Sequence, residues 1–206
     1  MCKTKEKKTI YYSDELNDDF APTNGKIKPK KITGDYNYLK DRRPLWKFLR
    51  FILYRLIATP VAFIYMHCKG IRIKNRKALK SVKGGYILYG NHTQMAGDAF
   101  TPSLVTFPRR ANILVSPDAV SIPIIGKIVP LVCGMPVPGD LAATKNLHKA
   151  MEKLLKKGQT IVVYPEAHAW PYFNGIRNFS AASFAYPFSF NVPAVGFTVT
   201  YRQRKI

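Results

Sequence analysis

Acidic residues are scarce in this chain. Of its 206 residues only 12 are Asp or Glu, against 33 Lys and Arg, which leaves a formal net charge of +21 and a pI near 10. An enzyme working on small neutral molecules in bulk water has no use for such a field. A field of this sign favours a polyanionic partner: nucleic acid, anionic lipid or a phosphate-bearing substrate. Cysteine is scarce as well. Cys2, Cys68 and Cys133 are odd in number and scattered, with no Cys-x-x-Cys, so they read as free thiols in a reducing compartment rather than a disulfide framework. The four histidines, His67, His92, His148 and His168, show no ligand spacing beyond isolated pairs, so no metal is implied. Long hydrophobic runs are missing too. The opening MCKTKEKKTI is polar with no apolar region close behind, so no export leader is expected. The run after Arg55 that is free of Lys, Arg and His, Leu56–Met66, is 11 residues long and contains Pro60, whereas a membrane span needs about 20 apolar residues.

The charge is uneven. Residues 1–80 hold 20 basic and 7 acidic residues, net +13, and residues 81–206 hold 13 and 5, net +8. In that second part the only carboxylates are Asp98, Asp118, Asp140, Glu152 and Glu166, so each is a candidate for a specific task.

Three regions follow. Residues 1–43 form a basic polar arm with runs such as KEKK and KIKPKK, interrupted by the acidic, aromatic stretch YYSDELNDDFA. Composition reads as a disordered arm, or as a strap that docks its Tyr and Phe residues on the folded domain. Residues 44–69 are amphipathic and apolar. Arg43, Lys47, Arg50, Tyr54 and Arg55 gather on one side of a helical wheel, while Trp46, Leu49, Ile52, Leu53, Leu56 and Ile57 cover the rest. With Pro60 inside the run, the expectation is a membrane-docking helical hairpin lying in one leaflet; a helix packed on the domain core is the competing reading. Residues 70–206 alternate between short apolar strands and helices: strands at 85–91, 111–116, within 128–137, 160–164 and 192–201, and helices at 98–105, 141–157 and 180–185. Leu147, Met151, Leu154 and Leu155 share a face of the long helix, Asp140 can cap its start and Gly158 can end it. The fold class is therefore α/β, a mixed, largely parallel sheet flanked by helices. The chain stops just after a strand, so a C-terminal piece of this domain is expected to be missing.

In such sheets ligands bind at the carboxyl ends of the strands. The strand in YILYGNH delivers His92 to that edge, and imidazole can take a proton near neutral pH. Asp98 is the near carboxylate that can fix its tautomer and stabilise the imidazolium; Gln94 is a substitute partner. No Ser or Cys sits close by as a nucleophile, so direct transfer is favoured over a covalent intermediate. A second buried strand ends on Tyr164-Pro165-Glu166, where a carboxylate can hydrogen-bond substrate hydroxyls or cap the next turn. A third elbow is GMPVPGD at residues 134–140.

These features together resemble the glycerolipid acyltransferase family, the lysophosphatidate acyltransferase-like enzymes. The family's Asn-His-x4-Asp motif is matched by Asn91-His92 with Asp98 one residue further on. Its Phe-Pro-Glu-Gly-Thr-Arg motif is matched by Tyr164-Pro165-Glu166-Ala167-His168-Ala169, and its Val-Pro strand by Val192-Pro193-Ala194-Val195. The resemblance covers roughly residues 70–201. It implies transfer of a fatty acyl group from acyl-CoA or acyl carrier protein, as co-substrate rather than cofactor, to the hydroxyl of a lysophospholipid or glycerol-phosphate-type acceptor in phospholipid biosynthesis. His92 would be the general base and Asp98 its partner, with Asn91, Gln94 and Glu166 at the substrate. The family's second motif is matched loosely at Gly134–Asp140, without its Arg, and its third, at Tyr164–Ala169, also lacks its Arg; those two Arg would hold the acceptor's phosphate, and Lys145, His168 and Arg177 are the stand-ins. The implied location is the cytoplasmic face of the cell membrane, on anionic phospholipid. The rival readings are a catalytically silent lipid-binding relative and a basic nucleic-acid-binding protein. No recognisable nucleic-acid module supports the latter, and no nucleic-acid partner is expected.

Overall fold

The computed structural model describes residues 10–20, 26–39, 44–94 and 96–202. Five short strands, β1 (Tyr86–Gly90), β2 (Ala111–Val115), β3 (Gly134–Pro136), β4 (Thr160–Val163) and β5 (Ala194–Phe197), form one sheet in the order β3-β2-β4-β1-β5. Every pairing is parallel; Tyr86 stands beside Thr160, Ile87 beside Ala194 and Ala111 beside Thr160. β1 and β4 are buried along their whole length, which is why they read as continuous apolar runs rather than alternating ones. The expected largely parallel sheet is present. Two segments differ in extent. The stretch at 128–137 is strand only at Gly134–Pro136, after the short helices α4 (Pro117–Ser121) and α5 (Ile125–Ile128), and the last strand ends at Phe197.

Side chains alternate across the sheet with period two. Ile87, Tyr89, Ile161 and Val163 face Leu147, Met151, Leu154 and Leu155 of α6 (Leu141–Lys156). Burying each such aliphatic side chain stabilises the fold by about 1.5–3 kcal/mol. Asp140 caps α6, its Oδ1 accepting the Ala143 N–H at 2.7 Å, and Gly158 closes it at φ +70. The other face packs Tyr86, Leu88, Ala111 and Val162 against Val105 of α3 (Gly97–Val105).

The apolar N-terminal segment is one continuous helix, Pro44–Lys69, and not the expected hairpin. It runs as α1 (Pro44–Phe51), a π-helical stretch (Ile52–Ala58) and α2 (Thr59–Lys69). The Thr59 N–H reaches back five residues to the Tyr54 carbonyl, which also accepts the Thr59 hydroxyl at 2.7 Å. Pro60 then falls in the first turn of the renewed α-helix, where a missing N–H breaks least. The wide π turn also keeps Arg50, Tyr54, Thr59 and Ala62 on one buried face. That face is tied to the domain: the Ala111 N–H donates to Tyr54 Oη at 3.0 Å, Arg50 Nη2 donates to the Leu39 carbonyl at 3.3 Å, and Arg55 donates to the Pro108 carbonyl. The opposite face exposes Leu45, Phe48, Leu56, Val61 and Ile64.

The described parts of the polar arm are docked as a strap. Ile32 and Tyr38 are buried in the core, with Tyr38 Oη donating to the Pro136 carbonyl at 3.1 Å and the Gly139 N–H to the Ile32 carbonyl at 2.9 Å. Residues 10–20 lie elsewhere, over the loop after β4.

Candidate active site

The carboxyl ends of β1 and β4, neighbours in the sheet, carry the site. Where the β1–β5 ladder ends, the side chain of Asn91 continues it. Its Nδ2 donates to the Val199 carbonyl at 2.9 Å and its Oδ1 accepts the Val199 N–H at 2.7 Å. The amide that the sequence places at the substrate is thus engaged with the protein's own backbone, and it aims the following residue, His92. The preceding residue must be small. A Cβ on Gly90 would stand 2.3 Å from the Phe197 ring and 3.1 Å from that of Tyr164. Without it, Tyr164 closes in and stacks on His92, with ring centroids 4.7 Å apart and planes 20° from parallel.

His92 Nδ1 and Asp98 Oδ2 are 2.6 Å apart. The residue added relative to the family spacing does not separate them. Asp98 sits in the first turn of α3, and its Oδ2 also accepts the Gln94 N–H at 2.9 Å. Gln94 does not replace Asp98: its side-chain oxygen accepts the Thr101 hydroxyl at 2.8 Å and packs against Gly97, where a Cβ would lie 2.6 Å away. Asp98 is buried, and its Oδ1 has no partner in the described structure. Burial therefore holds its carboxyl above the usual range, opposed by the bonds from His92 and Gln94. The Tyr164 hydroxyl donates to the Asp98 carbonyl at 2.8 Å, and burial pushes that phenol well above its ordinary value, so it stays protonated. With Nδ1–H assigned to Asp98, the lone pair of the imidazole lies on Nε2. The His92 side chain is 24% exposed, against 5% for Asp98. A carboxylate-backed imidazole with one reachable basic nitrogen is the arrangement for general-base chemistry.

Glu166 ends the turn after β4 and is buried. Its Oε2 accepts the His92 backbone N–H at 3.1 Å and Arg177 Nη2 at 3.1 Å, and its Oε1 faces the Arg177 N–H at 3.4 Å. Arg177 is itself buried, also donates to the His168 carbonyl, and lies 4.6 Å from the centroid of the Trp170 ring. Glu166 and Arg177, read from sequence as substrate-binding, are thus paired with each other and clamp the His92 main chain. The Trp170 N–H adds a second clamp on the His92 carbonyl at 2.9 Å. The structure brings Asn91, His92, Gln94, Asp98, Glu166 and Arg177 together and leaves Lys145 apart, exposed on α6.

The strap at residues 10–20 roofs this clamp. Trp170 Nε1 donates to the Asp18 carbonyl at 2.8 Å, Phe20 N–H to the Ala169 carbonyl at 3.1 Å and the Asn178 N–H to Glu15 at 3.1 Å. Tyr12 and Phe20 pack on Trp170 with ring centroids at 4.5 and 5.5 Å, and His168 Nδ1 lies 3.6 Å from Asp19. The roles of Tyr164 and Trp170 are absent from the sequence reading. The available signal was the pairing of an acid-rich aromatic arm with an otherwise basic chain. Among the described residues no group of three His, Cys, Asp or Glu is arranged to hold a metal.

Searches of curated proteins and of solved structures returned no match. A family model described as Acyltransferase matches residues 70–198, more than half of the chain, and the matched stretch contains both strand ends, His92, Asp98 and Glu166. On that match, the chain belongs to the acyltransferase family.

Proposed function

We propose that this acyltransferase works at a membrane surface and moves a fatty acyl group from an acyl thioester, acyl-CoA or acyl carrier protein, to the hydroxyl of a lysophospholipid or glycerol-phosphate-type acceptor in phospholipid biosynthesis. The observation that carries the reading is the 2.6 Å contact between His92 Nδ1 and Asp98 at the carboxyl edge of the sheet. Nε2 of His92 removes the proton from the acceptor hydroxyl as its oxygen attacks the thioester carbonyl. Asp98 stabilises the imidazolium formed in that step. The tetrahedral intermediate collapses with cleavage of the C–S bond, the departing thiolate recovers the proton from Nε2, and an ester and a thiol leave. Glu166, Arg177 and Trp170 act by holding the main chain of His92.

The membrane part of the reading rests on α1 and α2. The helix Pro44–Lys69 is long and apolar enough to cross a bilayer by length and composition. Its bonds through Arg50, Tyr54 and Arg55 lay it along the domain, so its exposed apolar face meets lipid side-on. The charge of +21 draws the chain to the anionic cytoplasmic leaflet, at about 1 kcal/mol per Lys or Arg near the surface.

The test is a His92→Ala variant assayed with a labelled acyl thioester and a panel of lysolipids. Removal of a general base lowers the rate by about 10²–10⁴. A variant as active as the parent removes the mechanism. The acceptor panel identifies the substrate.

A further inference from the structure

The family resemblance assigns the holding of phosphate to Arg residues in the second and third motifs, and this chain has none there. The stand-ins do not fill the gap. Arg177 is buried and committed to Glu166, to the His168 carbonyl and to Trp170. Lys145 is remote, and GMPVPGD carries no cation. A different cationic cluster does reach the neighbourhood of the catalytic pair. On the α3 side of the sheet lies a cavity of about 920 Å³, between α2, the segment that follows it, and the β1–β5 edge. That volume is near the top of the range of roughly 300–1,000 Å³ typical of small-molecule sites. Its floor is apolar, with Leu79, Leu88, Val105, Val195 and Phe197. Its lining includes Gln94 and Thr101; the Gln94 N–H donates to Asp98, and the Thr101 hydroxyl donates to the Gln94 side chain. Its rim carries Lys69, Arg72, Lys74 and Arg202, all exposed, and among the described residues no carboxylate lines it. Among the described residues none of these four is in an ion pair. A fifth lining cation, Arg76, is already spent on the carbonyls of Val105 and Phe107.

An apolar trough that reaches Gln94 and Thr101, behind the catalytic pair, and is edged by cations with no ion-pair partner among the described residues suits an anionic amphiphile. We infer that this cavity seats the phosphate-bearing amphiphile of the reaction, with its hydrocarbon on the floor and its phosphate held by Arg72, Lys74, Lys69 and Arg202. Phosphate recognition in this chain has moved from the two motif loops to the segment before β1 and the stretch after β5. The inference rests on the proposed acyl transfer. Both substrates of that reaction are phosphate-bearing amphiphiles: the acyl-CoA thioester and the lysophosphatidate-type acceptor.

The experiment uses the full chain and the double variant Arg72→Glu/Arg202→Glu, with Arg72→Lys/Arg202→Lys as the charge-conserving control. KM and kcat are measured separately for acyl-CoA and for lysophosphatidate. Acyl-pantetheine and monoacylglycerol serve as the phosphate-free donor analogue and the phosphate-free acceptor. The expected result is a rise of at least tenfold in KM for one phosphate-bearing substrate, with kcat within twofold, no change for its phosphate-free counterpart, and recovery in the lysine variant. A rise confined to acyl-CoA assigns the rim to the donor, and one confined to lysophosphatidate assigns it to the acceptor. Unchanged KM for both overturns the inference while leaving acyl transfer standing. If the parent transfers no acyl group, the proposed reaction fails instead. Quenching of tryptophan fluorescence by acyl-CoA and by lysophosphatidate below their micelle concentrations then decides the site alone. Binding weakened at least tenfold in the Glu variant supports it, and equal or absent binding overturns it.

Discussion

Replacing Asp98 by Asn separates what the carboxylate does for the reaction from what it does for the fold, and the two effects have opposite sign. Asp98 is 4% exposed, its Oδ2 accepts from His92 Nδ1 at 2.6 Å and from the Gln94 N–H at 2.9 Å, and its Oδ1 is buried without a partner in the described structure. Burial raises its pKa in the folded chain against the lowering effect of His92 and Gln94. A carboxyl whose folded value is raised contributes stability below its ordinary value of about 3.9, and that stability is lost as pH rises through the folded value. At neutral pH the ionised group is then a net cost to folding, about 1.4 kcal/mol for each unit of elevation. Asn mimics the neutral acid and avoids that cost. The Asp98→Asn chain should therefore melt above the parent at pH 8, by about 2–4 °C per kcal/mol relieved. The gap should close as pH falls toward about 4. Catalysis moves the other way. A hydrogen bond to a charged group is worth about 1.5–3 kcal/mol, so loss of the carboxylate behind the imidazolium should lower kcat/KM roughly tenfold to a hundredfold. Thermal melts at pH 8 and pH 4, together with initial rates of acyl transfer, measure both. A variant within threefold of parental kcat/KM refutes the support of His92 by Asp98. A lower melting temperature at pH 8 refutes the account of burial.

Ala167 occupies the position where the family motif has Gly, and it holds φ +61 with the His168 N–H bonded to the Glu166 carbonyl at 2.7 Å, a tight turn that disfavours a Cβ. Ala167→Gly should raise stability by about 0.5–1 kcal/mol in urea unfolding, the strain relieved exceeding the added chain entropy; a loss of stability counts against the strain. Arg177→Met leaves Glu166 buried and uncompensated, so unfolding should become easier by about 3–5 kcal/mol, while Glu166→Gln/Arg177→Met should recover part of the loss. Absence of any recovery in that double-mutant cycle refutes the pairing as the source of the cost. Phe48→Glu/Ile64→Glu changes two side chains that are 60% and 63% exposed on the apolar helix face. It should sharply reduce flotation with anionic liposomes while leaving the melting temperature within a few degrees; unaltered flotation removes this face as the membrane contact.

Much of the architecture was legible because it is written in local patterns. The α6 helix shows its apolar face, its Asp140 cap and its Gly158 stop within 19 consecutive residues. β1 and β4 show as buried runs that end on polar elbows, which set His92 and Glu166 at one edge. Periodicity could not foretell the helix through Pro60, because a single π turn changes the hydrogen-bond spacing that a helical wheel assumes. Nor could it rank Glu166: an acid at a strand end reads alike whether it faces a substrate or an arginine eleven residues on.

What the sequence determined by itself was the class of the fold, the strand ends that hold the candidate site and the histidine proposed as base, since each follows from neighbours a few residues apart. Only the tertiary structure decided that Asp98, six positions on, meets His92, that Glu166 and Arg177 are spent on each other, and that an acidic strap closes over Trp170 from about 150 residues away. Those outcomes depend on which distant groups are left to satisfy a buried donor or charge, and that is settled by packing, not by spacing along the chain.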